Sequence, residues 1–163
     1  MFENIKAIAT DVDGVLTDGT FWWGTNGEEF KRFSFADITG VAMARKAGLR
    51  LALISGESSG AGMTLVQRFA DKLQIVDVHK GCHDKAAAVT EFAERYHLQL
   101  NEVCFIGDDV PDLPAMEIVG VAVAPANAQT AAKAAATIIA SSNGGFGVLR
   151  EVIERILQEQ SPS

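Results

Sequence analysis

Four short polar stretches of this chain carry residues that could do chemistry together. In chain order they are Asp11 and Asp13 in "DVDG", Ser55 to Glu57 in "SGE", Lys85 in "HDKAAA", and Asp108 and Asp109 in "GDD". If the fold brings these stretches together, several carboxylates share one crevice with a hydroxyl and an ammonium group. Such carboxylates repel one another unless a cation neutralises them. Oxygen ligands that leave room for water favour magnesium, so the sequence predicts a Mg²⁺ site.

A magnesium site of this composition suits phosphate chemistry. Ser55 and the backbone amides after it, beginning with Gly56, can donate hydrogen bonds to a phosphoryl group, and Lys85 can supply a fixed positive charge. Asp11 is the predicted nucleophile, because a carboxylate that attacks phosphorus forms an aspartyl-phosphate and divides one hard displacement into two easier ones. Asp13 can protonate the leaving alkoxide and then take a proton from the attacking water.

The elements that must position these residues alternate along the chain. Short apolar runs predict strands at residues 5–10, 49–54, 75–78, 102–106 and 120–124. Helical periodicity predicts helices near residues 38–47, 60–73, 84–97, 112–118, 127–135 and 147–159. This alternation indicates an α/β fold, a Rossmann-like doubly wound parallel sheet covered on both faces. The polar stretches follow the strands, at the edge where ligands collect in such sheets.

One segment interrupts the alternation. Residues 19–35, "GTFWWGTNGEEFKRFSF", contain two β-prone runs around Asn26-Gly27, a strong hairpin turn signal. A two-stranded ribbon cannot bury aromatic residues on both faces by itself, so it packs either on its own domain or in a subunit interface. The charged residues of this hairpin are predicted to form a solvated face: Glu28, Glu29, Lys31 and Arg32.

Length and composition limit the class of protein. The chain has 163 residues, 48% of them hydrophobic and 21% charged, which predicts one domain over residues 1–163. A net charge of −7 offers no basic stripe for nucleic acid or an anionic membrane. No stretch is long and apolar enough to span a bilayer and no signal-peptide pattern is present, so a cytoplasmic location is expected. Cys82 and Cys104 have neither disulfide-framework nor zinc-site spacing.

The polar stretches also carry a resemblance to a known family. In order, "DVDGVLTDG", "ISGES", "HDKAAA" and "GDDVPD" resemble the four motifs of the haloacid dehalogenase superfamily of phosphatases. The short length without room for a cap domain, the hairpin after the first motif, "FADITG" and the terminal "GGFGVLREV" resemble its capless tetrameric subfamily, typified by 3-deoxy-D-manno-octulosonate 8-phosphate phosphatase. The resemblance covers nearly the whole chain. It implies a magnesium phosphatase for a small sugar-acid phosphate and a homotetramer assembled through the hairpin.

The resemblance implies roles for individual residues. Asp11, Asp108 and the backbone carbonyl of Asp13 would bind magnesium. Asp109 would orient Lys85 or a metal-bound water.

Two further acids have alternative interpretations. Asp37 either caps a helix or, as the family implies, lies near the active site and contacts substrate. Asp112 is either a charge at a helix N-terminus or a support for the metal site.

The residue at position 57, a glutamate, leaves the identity of the substrate open. Octulosonate phosphatases usually carry a basic residue at this position and "RDG" where this chain has "ADI", whereas glutamate resembles the nonulosonate 9-phosphate phosphatases. A carboxylate here could hydrogen-bond sugar hydroxyls but would repel a substrate carboxylate beside it. Two other classes stay open. One is a catalytically silent sugar-acid-binding domain, which loss of Asp11 or Asp13 would have signalled; the other is a phospho-receiver domain, in which the acid pair precedes the phosphorylated aspartate.

Overall fold

A computed structural model describes residues 1–161 of the chain. Its strands within these residues are β1 (Ala7–Thr10), β2 (Trp22–Trp23), β3 (Glu29–Phe30), β4 (Arg50–Ile54), β5 (Asp77–His79), β6 (Val103–Ile106), β7 (Val121–Ala124) and β8 (Ile138–Ile139). Six of them form one parallel sheet in the order β5-β4-β1-β6-β7-β8, and β2 and β3 pair as a separate antiparallel hairpin. The predicted doubly wound α/β fold is confirmed.

Helices cover both faces of this sheet. They are α1 (Phe35–Lys46), α2 (Gly60–Leu73), α3 (Lys85–Arg95), α4 (Leu113–Ile118), α5 (Thr130–Ala135) and α6 (Val148–Gln160). The first three begin at a polar cap, because the side chains of Ser34, Ser59 and Asp84 each accept a hydrogen bond from an amide of the first turn. A bilayer span needs about 20 predominantly apolar residues in one helix, and none of the helices within residues 1–161 meets that requirement.

The side chains of β1 alternate between two apolar clusters. Ile8 belongs to the cluster formed with α1, α2 and α6. Ala7 and Ala9 belong to the cluster on the opposite face, formed with α3, α4 and α5. Successive strand residues point to opposite faces, so a short run of apolar residues at the centre of the sheet is buried on both sides. This is why the predicted strands read as continuous apolar runs.

The sheet order creates a switch point between β1 and β6. From β1 the chain passes to β4 and β5 on one side, and it later returns to β6 and continues through β7 and β8 on the other. The loops that leave β1 and β6 therefore diverge and open a crevice at the carboxyl ends of these strands. Asp11 follows β1 directly, and Asp108 follows β6 after Gly107.

The element boundaries differ from the predicted ones in specific places. The five predicted strands are all present, but each begins one or two residues later than predicted. Strand β8 is not among them, because two residues at a sheet edge are too few for a periodic pattern to register. Helix α1 begins before its predicted start because Ser34 caps it. Residues 1–161 contain no cap domain, and the insertion after β1 is limited to the hairpin.

The hairpin places large apolar side chains in solvent. Trp22 and Trp23 are 73% and 72% exposed, and Phe30 is exposed as well. Further along, Phe33 stacks on Phe69 of α2 with 3.9 Å between the ring centroids. The base of the hairpin thus packs on its own domain, whereas its aromatic tip contacts nothing within residues 1–161 that buries it.

Candidate active site

The crevice at the switch point brings the first predicted motif together with the predicted lysine. The Asp11 amide donates to the Ile106 carbonyl at 2.9 Å, which fixes Asp11 at the end of β1 beside β6. Lys85, the first residue of α3, places its Nζ 2.9 Å from Asp11 Oδ1. A pocket of about 400 Å³ surrounds this pair, and every predicted site residue lines it except Ser55 and Asp37.

Three carboxylates in this pocket could hold a metal ion. Ligand oxygens of Asp11, Asp108 and Asp112 all lie within 4.8 Å of one another. Gly14 makes room for Asp108, because a Cβ at this glycine would lie 2.0 Å from Asp108 Oδ2, and its φ of +89° also favours glycine. An all-oxygen donor set suits magnesium, so the residues present fit the predicted ion. The Asp13 carboxylate is not part of this cluster.

Burial and mutual repulsion disfavour the charged forms of these acids. Desolvation, together with the charge of Asp112, raises the pKa of Asp11 well above its usual value, although Lys85 opposes the shift. Burial, together with the charges of Asp112 and Asp109, raises the pKa of Asp108 to about 7. A bound cation reverses this preference, because it stabilises the ionised carboxylates.

Asp112, rather than Asp109, orients the lysine. The Asp112 side chain is buried, and its Oδ1 accepts a hydrogen bond from Lys85 at 2.6 Å. Its Oδ2 accepts from the Asp108 amide at 2.8 Å, which connects the lysine to the metal-suited loop. Asp109 instead directs its carboxylate to the Val110 amide at 2.7 Å. The predicted contact between Asp109 and Lys85 is therefore not made, although both residues line the pocket.

The loop after β4 contributes Gly56 and Glu57 to the pocket, whereas Ser55 does not line it. Ser55 is buried, and its Oγ accepts a hydrogen bond from the Glu57 amide at 3.1 Å. The Glu57 carboxylate accepts from the Ser59 amide at 2.9 Å and lies 3.1 Å from Lys31. The Ser55 hydroxyl does not line the pocket, so its contact with phosphate stays a prediction.

Lys31, whose role sequence reasoning missed, pairs with two of the acids that line the pocket. Its side chain is only 3% exposed, and its Nζ lies 3.0 Å from Asp13 Oδ1 and 3.1 Å from Glu57 Oε2. Burial alone would lower the pKa of Lys31, but the hydrogen bonds and charges of Asp13 and Glu57 raise it. The predicted solvated position of Lys31 is therefore wrong.

The hairpin face is divided by strand parity. Glu29 is also wrongly predicted as solvated, since its side chain is 10% exposed and accepts a hydrogen bond from Trp23 Nε1 at 3.2 Å. Glu28 and Arg32 are exposed, as predicted. Phe33 is the sequence signal that could have revealed the buried position of Lys31. Side chains two positions apart in an extended segment point to the same side, so an apolar Phe33 places Lys31 on the side that faces the protein.

Asp37 lies outside the pocket, at the contact between α1 and α6. It is fully buried, and its Oδ1 accepts a hydrogen bond from the Arg150 amide at 3.1 Å. Helix α6 starts after Gly147, which has no side chain to cap it, so Asp37 supplies the cap from another helix. A Cβ at Gly40 would lie 2.8 Å from Arg150 Cα, which shows how closely the two helices approach. The predicted substrate contact of Asp37 is therefore not made.

Asp37 predicts a pH-dependent stability. Burial raises the pKa of this carboxyl to about 6, above its ordinary value of 3.8. The folded protein therefore holds this proton more tightly than the unfolded chain, so the group favours folding below about pH 4 and that contribution is lost as the pH rises through about 6. As the pH rises from 4 to 7, the unfolding free energy of Asp37→Asn should increase by about 3 kcal/mol relative to that of the parent.

Urea unfolding followed by circular dichroism at several pH values measures this difference. Asp71→Asn is the matched control, because Asp71 is exposed on α2, and its difference from the parent should be flat with pH. Phosphate release by Asp37→Asn should stay within about twofold of the parent. If the variant instead has a raised KM and the same pH dependence of unfolding free energy as the parent, Asp37 contacts substrate.

The fold and the pocket together define the class of protein. A doubly wound sheet gathers an aspartate, its bound lysine and a set of metal-suited acids at its switch point. Ligand sites of such sheets lie at this edge, and acids with a fixed cation there suit phosphoryl transfer. The chain is thus an α/β enzyme of the phosphotransfer class.

Comparison with known proteins gives the family. The family model of the haloacid dehalogenase-like hydrolases matches residues 57–152, more than half of the chain. The 3-deoxy-D-manno-octulosonate 8-phosphate phosphatase of Haemophilus influenzae is 38% identical over 161 residues, which cover 99% of this chain and 87% of the relative. The same-named protein of Salmonella typhi is 35% identical over 158 residues, 97% of this chain and 82% of the relative. The chain belongs to the haloacid dehalogenase-like hydrolases, in the group of these phosphatases.

A solved structure supports the same placement. The 3-deoxy-D-manno-octulosonate 8-phosphate phosphatase of Moraxella catarrhalis matches with a TM-score of 0.91 at 34% identity. That structure is a complex with magnesium, phosphate and KDO, the abbreviation for 3-deoxy-D-manno-octulosonate. The match covers 98% of this chain and 89% of that one. The predicted family and fold are confirmed.

Proposed function

We propose that this protein is a magnesium-dependent phosphatase that hydrolyses the phosphate monoester of a 3-deoxy-2-ulosonic acid, of the octulosonate 8-phosphate type. The observation that carries the proposal is the 2.9 Å pair of Asp11 and Lys85 beside the Asp108 carboxylate, in the crevice where the sheet changes direction. Membership of a family whose relatives are named for this activity supports it.

Asp11 is the nucleophile of the proposed reaction. One of its carboxylate oxygens attacks phosphorus, so the bond from phosphorus to Asp11 forms while the bond from phosphorus to the sugar oxygen breaks. Asp13 donates a proton to the departing sugar oxygen. In the second half, Asp13 takes a proton from a water molecule, the water oxygen bonds to phosphorus, and the bond to Asp11 breaks to release inorganic phosphate.

Lys85 favours the ionised form of the nucleophile and has a donor left for the transferred group. Its Nζ contacts Asp11 at 2.9 Å and Asp112 at 2.6 Å, which leaves one of its three donors for a phosphoryl oxygen. The ammonium charge opposes the effect of burial on Asp11. Asp11, Asp108 and the Asp13 carbonyl would hold magnesium, which when bound neutralises negative charge on the phosphoryl oxygens. Gly56 would offer its amide to the same oxygens.

The eight-carbon ulosonate is favoured over the nine-carbon alternative. The relatives are octulosonate 8-phosphate phosphatases by name, and KDO is present in the Moraxella catarrhalis complex. Glu57, the residue that pointed to nonulosonates, is paired with Lys31 at 3.1 Å. Lys31 also pairs with Asp13, so it offsets the charge of Glu57 in part, and Glu57 repels a substrate carboxylate less than an unpaired glutamate would.

A phosphate-release screen tests the proposed substrate. The purified protein with magnesium would be compared on octulosonate 8-phosphate, a nonulosonate 9-phosphate, and generic sugar phosphates such as glucose 6-phosphate. We expect the highest kcat/KM on octulosonate 8-phosphate. A higher value on the nonulosonate ester would replace the substrate assignment, and no release from any ester would favour a silent binding domain.

We further propose that the protein is a homotetramer assembled through its hairpin. Trp22 and Trp23 lie on opposite faces of a two-residue strand and are each more than two-thirds exposed. Soluble proteins rarely leave large aromatic side chains exposed on both faces of one hairpin, and tryptophan is enriched in interfaces. A second copy of the chain would cover them.

Trp22→Glu is expected to dissociate this assembly, because a charge cannot be buried in an aromatic interface without a partner. Multi-angle light scattering should give the mass of a smaller species for the variant. Val76→Glu is the matched control, since Val76 is 84% exposed but lies away from the hairpin, and its mass should stay that of the parent. An unchanged mass for Trp22→Glu would contradict the hairpin interface.

The composition of the chain bears on its partners and its location. The net charge of −7 argues against nucleic acid and anionic membranes as partners, and a cytoplasmic location stays a prediction.

A further inference from the structure

Lys31 is a buried cation that the proposed reaction does not yet use. Its Nζ lies 3.0 and 3.1 Å from the two carboxylate oxygens of Asp13 and 3.1 Å from Glu57 Oε2, and its side chain is 3% exposed. A buried ammonium group is costly unless it is paired with good geometry. Here one lysine, which comes from the hairpin, joins acids from two separate loops of the pocket.

Lys31 links Asp13 to Glu57, and we call this link the tether. Neighbouring contacts hold both Lys31 and Glu57 in place. Two residues along the chain, Phe33 stacks on Phe69 of α2. On the other side, Glu57 is fixed through its second oxygen by the Ser59 amide at 2.9 Å. Both ends of the tether are therefore anchored, and Asp13 is held between them.

Asp13 depends on this tether for its orientation. Its side chain is 36% exposed, and within residues 1–161 Lys31 is the one hydrogen-bond donor to its carboxylate. Asp11, by contrast, is held both by the Val12 amide at 2.7 Å and by Lys85 at 2.9 Å. A partly exposed carboxylate with a single partner is free to change rotamer when that partner is removed.

We propose that Lys31 is a positioning residue for proton transfer: it holds the Asp13 side chain in the orientation from which the proton passes to the departing sugar oxygen. The inference rests on the proposed function, because Asp13 has this role only there. The Lys31 ammonium donates hydrogen bonds to Asp13 Oδ2 and Glu57 Oε2, and a third carboxylate oxygen, Glu29 Oε1, lies 3.6 Å away. Lys31 is thus not free to bind a substrate carboxylate, and its loss affects turnover rather than substrate affinity.

The test compares two esters that differ in their need for a proton. The sugar alkoxide of octulosonate 8-phosphate must be protonated as it leaves, whereas the nitrophenolate of p-nitrophenyl phosphate leaves without protonation. General acid catalysis contributes about 10²–10⁴-fold where it is needed. Lys31→Met removes the charge and keeps the length of the side chain. We expect it to lower kcat/KM on the sugar ester by about 10²-fold and on the nitrophenyl ester by less than about threefold, with KM for the sugar ester nearly unchanged.

Two variants accompany it. Lys31→Arg keeps the charge and should recover at least part of the loss on the sugar ester. Arg32→Met is the matched control, since Arg32 is the next residue of the same hairpin but is exposed, and both esters should be hydrolysed as by the parent. Light scattering of each variant checks that the assembly is unchanged. Activity on the nitrophenyl ester reports that the pocket is folded.

The outcomes separate this inference from the proposed function. Equal losses on both esters, or no loss on either, would overturn the positioning role. A raised KM with an unchanged kcat would overturn it in favour of direct substrate binding. If Lys31→Met does not fold, Lys31→Gln takes its place, and the same difference between the two esters decides. Asp11→Asn should lose both esters in every case, so its failure to do so would count against the reaction and not against Lys31.

Discussion

Asp11→Asn should lower kcat for phosphate release by about 10⁴-fold or more, to the level of the buffer blank. The asparagine side chain has the shape of aspartate but neither its charge nor its nucleophilic oxygen, so no aspartyl-phosphate can form. Lys85 keeps its contact with Asp112 at 2.6 Å, so the variant does not leave the lysine without a partner. Phosphate release from octulosonate 8-phosphate at saturating magnesium is the measurement.

Two controls make this result interpretable. Circular dichroism and light scattering should show the fold and mass of the parent, because the substitution removes almost no volume. Asp71→Asn, on the exposed face of α2, should retain full activity. Substantial turnover by Asp11→Asn would exclude Asp11 as the nucleophile. An inactive parent protein would instead point to a silent sugar-acid-binding domain.

Removal of magnesium should have the second largest effect. We expect EDTA to lower phosphate release on the order of 10³-fold, because charge stabilisation by a metal is worth several kcal/mol in such a transition state. Added magnesium should restore the activity fully. The physical cause is the set of oxygens from Asp11, Asp108 and Asp112 within 4.8 Å, which repel one another without a cation. Undiminished activity in EDTA would contradict this account of the pocket.

The acids also give magnesium binding a pH dependence. Burial and neighbouring charges raise the pKa of Asp108 to about 7, and Asp11 is raised as well. A cation binds the ionised carboxylates, so magnesium must displace protons at low pH. The apparent affinity for magnesium should therefore weaken as the pH falls below about 7. Isothermal titration calorimetry across pH 6–8 measures this, and Asp108→Asn should weaken binding where Asp71→Asn does not.

The sequence by itself determined the type of fold and the chemistry of its edge. Apolar runs that alternate with helical periods predict parallel strands, and parallel strands share one carboxyl edge. Asp11, Lys85 and Asp108 each follow a strand or open the next helix, so their convergence follows from order along the chain alone. The same local signals predicted the hairpin turn at Asn26-Gly27 within the element β2–β3.

The tertiary structure decided which side chains meet. Asp109 and Asp112 are three residues apart, and only the direction of the intervening turn leads Asp112 back to Lys85. Lys31 was predicted to be solvated. Phe33 marks the inward side of the hairpin, but nothing local shows that this side buries Lys31 against Asp13.

Asp37 gives the clearest case. Its neighbours in sequence allow a cap or a substrate contact, and the choice is made by α6, more than a hundred residues away, whose first turn lacks a capping side chain. Patterns along a chain specify periodicity and strand ends, because these depend on near neighbours. Hydrogen-bond partners depend on ångström-scale packing between distant segments, and only the folded chain fixes that.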